Sequence, residues 1–287
     1  MSADDATPTV APATKPLREA ATVMLLRDTP GGLEVFMLRR TLNAAFVGGA
    51  YVFPGGTIDD ADRTDDVASH CVGLDDATAS DLLGIEYGGL AYWVAALREC
   101  FEEAGVLLAR TGDGTVMSFA DAAVAADYNE RRHAVHDGTL RLVELCGREG
   151  LHLATDDVRY VSHWVTPIGE PRRFDTRFFV ARAPHEQEPL HDDNETIDSL
   201  WVRPADALER HHAGELFMIF PTIKNLEFLV PFATCDEALA AASAIGRPPM
   251  ILPRVVRRGE SIAVLVPGDD GYDDADAVDA DLAAGNR

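Results

Sequence analysis

Along the chain, the pattern of apolar positions changes period in a readable order. Residues 21–26 and 33–38 are nearly continuous apolar runs on either side of Asp28-Thr29-Pro30-Gly31-Gly32. They predict two strands joined as a hairpin. Residues 51–53 form a third short apolar run, leading into Pro54-Gly55-Gly56, and residues 59–81 are Asp-rich with no clear period. From Leu90 the period becomes helical: Leu90, Trp93, Val94, Leu97, Phe101 and Ala104 recur at three- and four-residue steps. Gly105 stands where a helix-ending glycine belongs. Further helices are expected over 118–132, with Ser118 as N-cap, and over 140–148. Strands are expected over 158–166, 177–182 and 197–202, and Pro204 opens a short helix where proline is tolerated. Residues 215–246 read as two helical pieces broken near Pro231. The alternation predicts an α/β chain with one domain over 20–267, an insertion over about 63–86, and disordered tails over 1–19 and 268–287.

Composition narrows the function classes. A hydrophobic fraction of 47% suffices for a sizeable core, while the formal net charge is −23. A chain this acidic repels nucleic-acid backbones and anionic membranes, so neither is expected as a partner. Any phosphate-bearing substrate needs divalent cations or a local arginine cluster to overcome that field. Cys71, Cys100, Cys146 and Cys235 contain no CxxC pair, which argues against disulfide or zinc frameworks and for a reduced compartment. The first residues have neither a basic nor an apolar segment of a secretory signal, and no apolar run has the length of a membrane helix. The expectation is a soluble cytoplasmic protein, with a homodimer kept open.

The chemistry lies in Arg98-Glu99-Cys100-Phe101-Glu102-Glu103-Ala104-Gly105-Val106. On a helix, Glu99 faces Glu102 and Glu103 at three- and four-residue spacing, so their carboxylates share one side. Like charges gathered this way gain nothing for a helix by themselves. They make sense around a hard dication, Mg²⁺ or Mn²⁺, which takes oxygen ligands. A bare E-x-x-E-E is usually a solvated helix face. The longer pattern has a chance frequency on the order of one in 10⁴ in a chain of this size.

That segment resembles the second half of the Nudix box of the Nudix hydrolases. The first half is altered. Asp62 stands five residues after Gly56, where the family has Glu, and 35 residues separate it from Arg98 instead of seven. Either the box carries an insertion of about 28 residues or Asp62 is not its first carboxylate. The upstream Phe36-Met37-Leu38-Arg39-Arg40-Thr41 and Gly49-Ala50-Tyr51-Val52-Phe53-Pro54-Gly55-Gly56 are similar to coenzyme A diphosphatase-like members, one branch of which has a long insertion inside the box. Trp164-Val165-Thr166-Pro167, residues 173–179 and Trp201-Val202-Arg203-Pro204 look like later parts of that branch.

The resemblance implies an α/β/α sandwich around a mixed sheet, with extra helices. It implies metal binding by Glu99, Glu102 and Glu103, and a catalytic group of Arg98, Glu99 and Glu102 in which Arg98 anchors the carboxylates. Gly55 and Gly56 would let the backbone pass close to the site. Arg40, Arg173 and Arg177 are candidate substrate cations, with Arg172 beside them. Glu195 and Asp198 occupy a region that often supplies a further carboxylate. The implied reaction is hydrolysis of a diphosphate in a small nucleotide-derived molecule, with coenzyme A or acyl-coenzyme A first. NADH, nucleotide sugars, oxidised nucleotides and a non-catalytic nucleotide-binding regulator are the alternatives.

Overall fold

The computed structural model describes residues 16–42, 47–192, 195–258 and 261–275. Most of both expected tails, 1–15 and 276–287, lies outside them. In chain order the elements are β1 (Leu17–Thr29), β2 (Gly32–Arg40), β3 (Tyr51–Val52), β4 (Gly55–Thr57), α1 (Asp76–Leu83), α2 (Leu90–Ala104), β5 (Ala109–Thr111), α3 (Ala122–His136), α4 (Leu142–Glu149), β6 (Leu151–Leu153), β7 (Arg159–Val165), β8 (Arg173–Arg182), β9 (Thr196–Val202), α5 (Pro204–His212), α6 (Phe220–Leu229), α7 (Cys235–Ile245), β10 (Met250–Ile251), β11 (Arg254–Arg258) and β12 (Ser261–Leu265). Short 3-10 turns cover Asp60–Arg63 and Val67–His70.

The main sheet runs β10-β7-β8-β1-β2-β3, with β4 paired to β1 and β9 to β2, the mixed sheet and α/β class expected. β1 changes partners along its length. Ala20–Thr22 pair with Gly55–Thr57, whereas Leu26–Thr29 pair with β2. The glycine strand β4 thus lies beside the first half of β1. On the other flank, β9 carries a bulge opposite Arg39 and Arg40. Such an extra residue kinks a strand and redirects the chain beyond it.

The described residues fall into two compact units, a large one within 19–164 and 175–250 and a small one within 16–18, 165–174 and 251–275. Within the small unit β11 and β12 form an antiparallel hairpin, and Arg254 donates to the carbonyls of Tyr272 and Ala275. This hairpin had no counterpart among the expected elements.

In the large unit, α2 is buried on every side. Only Glu99 keeps appreciable exposure, although the helix carries four charged residues. Ala, Leu and Glu favour the helix, and Trp93 anchors it by stacking 4.7 Å from Phe179 and donating to the Val158 carbonyl at 3.1 Å. Gly105, at φ 69°, ends it with an N–H shared between the carbonyls of Cys100 and Phe101.

The Asp-rich insertion is ordered and contributes to the core, contrary to the expectation of an aperiodic excursion. Val67, Ala79 and Leu83 are buried in the cluster that contains α2. Its acidic residues serve as caps: Asp75 accepts from Thr78 N, and Asp76 accepts from Gly88 N and Leu90 N at 2.9 and 3.0 Å. Capping residues recur where backbone N–H groups need partners, not at a fixed period, so periodicity could not reveal them. A similar shift occurs in α3, where Asp121, not Ser118, is the N-cap and accepts from Ala123 N and Val124 N.

Candidate active site

Arg98 is 7% exposed and stands at the centre of the site. Its Nε and Nη2 each donate to Asp62 at 3.0 Å, Nη1 reaches Glu99 at 2.9 Å and Glu102 at 3.1 Å, and Nη2 also donates to the Thr57 carbonyl at 2.8 Å. Asp59 lies 3.8 Å away. Asp62 is itself buried and receives the Asp59 N–H at 2.9 Å. Asp62, the candidate for the altered first half of the motif, thus meets Arg98 across the 35 intervening residues.

Both glycines stand at close approaches, against backbone at Gly55 and against the Glu99 carboxylate at Gly56. A Cβ on Gly56 would stand 2.3 Å from Glu99 Oε1, and one on Gly55 would meet Thr22 Oγ1 at 2.5 Å. Gly55 N donates to Glu103 Oε2 at 2.9 Å. The glycine strand and the α2 carboxylates are thus in direct contact.

Burial sets the electrostatics. It pushes the Glu99 carboxyl up to about 8, only partly offset by Arg98 and reinforced by the Glu102 charge. Glu103 is raised well above the ordinary value by burial and then by Glu99, with Arg40 opposing and Glu195 adding to the effect. Burial also raises Glu102 and Asp62, against the pull of Arg98. For Arg98, burial disfavours the charge, but Glu99 and Asp62 outweigh it and hold the guanidinium above its usual range.

Three carboxylates, Asp62, Glu99 and Glu102, thus bond one buried guanidinium, and the buried Glu103 lies close by against Gly55. That surplus of hard oxygen donors has the chemistry a divalent cation requires. In this arrangement Glu99 and Glu102 turn toward Arg98, and Glu103 toward Gly55 N. Among the described residues, no three His, Cys, Asp or Glu side chains are gathered tightly enough to enclose an ion. The donor set fits the cation in type, and closing on it needs a turn of the glutamate side chains.

The other candidates separate. Arg40, at the end of β2, is half-buried, has an unpartnered Nε, and acts electrostatically on Glu103. Glu195 acts on Glu103 as well, and its carbonyl accepts from Thr41 N at 3.0 Å, just before the β9 bulge. Asp198 accepts from the Tyr51 hydroxyl at 3.1 Å. Arg177 is turned inward: it is 4% exposed and paired with Asp175, with His163 Nε2 2.6 Å away and its guanidinium 5.1 Å over Tyr92. Arg173 is buried and donates to the carbonyls of Thr166 and Pro167 within the small unit, whereas Arg172 is exposed. Strand alternation explains Arg173 and Arg177, since residues an even number of positions apart share a face. Trp164, Phe178 and Phe179 are core residues.

A cavity of about 840 Å³ lies toward the other end of β1 and is lined by Arg27, Asp28, Arg182 and Asp236 among others. Arg182 there is paired with Asp28 and Asp236, and Arg27 with Glu34. The carboxylate surplus of α2 is not part of it.

Residues outside the motif also reach the site. His136 at the end of α3 lies 3.8 Å from Glu102. Arg132 donates to the Glu102 and Glu103 carbonyls at 2.7 and 2.8 Å. No sequence signal marked either one.

Comparison with known proteins agrees with this geometry. A family model described as the NUDT19 Nudix domain matches residues 74–229. The chain is 29% identical to the acyl-coenzyme A diphosphatase NUDT19 of Gallus gallus, over 89% of this chain and 79% of that one. It is 28% identical to the Homo sapiens protein of the same name, over 84% and 72%. A crystal structure of a Nudix hydrolase from Alicyclobacillus acidocaldarius superposes with a TM-score of 0.66 at 31% identity, covering 79% of this chain and 97% of that one. The chain belongs to the Nudix hydrolase family, as a Nudix-type diphosphatase with a NUDT19-type domain.

Proposed function

We propose that the protein hydrolyses the diphosphate of coenzyme A or its acyl thioesters, using Mg²⁺ or Mn²⁺ held by Glu99, Glu102 and Glu103. The observation that carries the reading is the buried surplus of carboxylates around Arg98, packed against Gly55 and Gly56. Nudix hydrolases generally use divalent ions, and the names of the relatives support the substrate.

In this reading Arg98 orients Glu99 and Glu102, and Asp62 keeps the guanidinium in place from its opposite side. A divalent ion, when bound, neutralises charge on the diphosphate oxygens and lowers the pKa of water. One of the glutamates takes the proton from the attacking water. Arg40, with its unpartnered Nε beside Glu103, is the cation best placed among the candidates to meet a substrate phosphate. Water adds to one phosphorus and the bridging oxygen leaves, so coenzyme A yields 3′,5′-ADP and phosphopantetheine. Four cysteines without a disulfide support a reducing, cytoplasmic location.

The test is a panel of coenzyme A, short acyl-coenzyme A, NADH and a nucleotide sugar, each with Mg²⁺ and with Mn²⁺, read by product identity. Coenzyme A species should give the highest kcat/KM. A value for NADH or the sugar about tenfold higher, near 1.4 kcal/mol in transition-state binding, would overturn the substrate reading.

A further inference from the structure

The α2 helix ends in a run of functional carboxylates, and α3 is bound to that end by its own side chains. Arg132 is 4% exposed. Its Nε donates to the Glu102 carbonyl at 2.7 Å and its Nη2 to the Glu103 carbonyl at 2.8 Å. A cation at a helix C-terminus satisfies carbonyls that lack helical partners and complements the helix dipole. Gly105 makes room for it, since a Cβ there would stand 3.0 Å from Arg132 Nη1.

His136 follows four residues later, on the same face of α3. Its Nδ1 lies 3.8 Å from Glu102 Oε2, while Arg98 holds Oε1 at 3.1 Å. The two oxygens of Glu102 therefore face different elements, one within the motif and one outside it. A cavity of about 130 Å³, bordered by Asp59, Asp62, Arg98, Glu102 and His136, leaves this carboxylate space to turn. A cap that served only the helix would need Arg132 alone. With His136, α3 bonds the peptide of one glutamate and sets a ring nitrogen beside its carboxylate.

We infer that Arg132 and His136 are positioning residues for Glu102, Arg132 holding its backbone and His136 standing beside the oxygen that Arg98 does not hold, within reach once that carboxylate turns. The inference rests on the reading of Glu102 as a ligand of the divalent ion. Neither residue touches substrate. They set how readily Glu102 adopts the geometry the cation needs, and so they couple α3, which lies outside the motif, to metal affinity.

The test uses the full chain and Mn²⁺ alone, with binding followed by loss of the free-ion EPR signal. His136→Ala and Arg132→Met should each weaken Mn²⁺ binding by about tenfold and lower kcat by about tenfold, with KM for coenzyme A within about twofold of the parent. His136→Gln and Arg132→Lys, which keep a donor, should recover most of the loss. His136 is partly exposed, so its variants fold even where Arg132→Met does not. Glu102→Gln is the reference. If it weakens Mn²⁺ binding while His136→Ala and Arg132→Met leave binding and kcat within about twofold, the positioning role is overturned. If Glu102→Gln itself binds Mn²⁺ like the parent, the ligand reading of Glu102 fails and takes the inference with it.

Discussion

Two buried charge clusters touch α2, and they are balanced in opposite ways. Around Arg98, Asp62, Glu99 and Glu102 share one guanidinium with Glu103 close by, and burial raises all four pKa values. Near Tyr92, Arg177 and His163 share the single carboxylate of Asp175. Burial would raise Asp175 too, but the hydrogen bond from His163 and the charge of Arg177 prevail and hold it below its ordinary value. The second cluster holds its own counter-charge. The first holds more carboxylate than guanidinium, the imbalance on which the proposed cation site rests. Burial alone therefore does not distinguish the two clusters; their charge balance does.

The sharpest way to break this comparison is Glu102→Gln. It keeps the side-chain shape and removes one of the surplus charges, so turnover at saturating Mg²⁺ should fall by about 10²-fold or more. The unfolding midpoint of the metal-free protein should stay level or rise, because an unbalanced buried charge is costly. Steady-state kinetics with thermal unfolding check both halves. Activity within threefold of the parent would place Glu102 outside the chemistry.

The pH dependence of stability should differ in sign between the clusters. Glu99 has an ordinary value of 4.5 and a folded value of about 8, so the folded protein binds its proton more tightly than the unfolded chain. Its contribution is present below about pH 4.5 and is lost as pH rises toward 8. Asp175 is depressed from 3.8, so its contribution is present above that pH and is lost in acid. Metal-free protein should therefore lose stability from both ends of a scan over pH 3–9. Saturating Mg²⁺ should flatten the alkaline arm only. An alkaline arm indifferent to Mg²⁺ would dissociate the carboxylate surplus from cation binding.

Asp175→Asn sharpens the contrast from the other side. Removing the only acid from a balanced cluster should destabilise the fold by about 2 kcal/mol, with turnover within threefold of the parent. Chemical denaturation and kinetics distinguish this from a role in the reaction. The smallest expected effect is at the insertion. Asp76→Ala removes the acceptor of Leu90 N and Gly88 N, and should cost about 1 kcal/mol while leaving turnover near the parent. Loss of turnover without loss of stability would assign the insertion a direct part in the site.

The large-unit elements were legible where local sequence decides them. Leu90–Ala104 was readable as a helix because its apolar spacing, its helix-forming residues and Gly105 all agree. The β1–β2 hairpin was readable from turn residues between apolar runs. The α1 helix was not, because eight residues rich in Asp, Thr and Ser carry almost no helical period. Its order comes from caps and from the burial of Ala79 and Leu83 against α2. The β11–β12 hairpin was missed as well, since its short strands yield a weak alternation next to an acidic tail.

For the site, the sequence alone determined the chemistry of the donors. Arg98, Glu99, Glu102 and Glu103 lie within one helical segment, and a helix places such neighbours on one side whatever surrounds it. Gly55 and Gly56 were readable as points of close approach through the family resemblance. Only the tertiary structure decided the identity of the other partners. Asp62 reaches Arg98 across an insertion, Arg132 and His136 arrive from a later helix, and the β9 bulge brings Glu195 toward Glu103. It also turned Arg177 inward, where Asp175 supplies its counter-charge. Local spacing fixes what a helix presents, whereas contacts between distant segments depend on how whole elements pack, and no single stretch of chain encodes that.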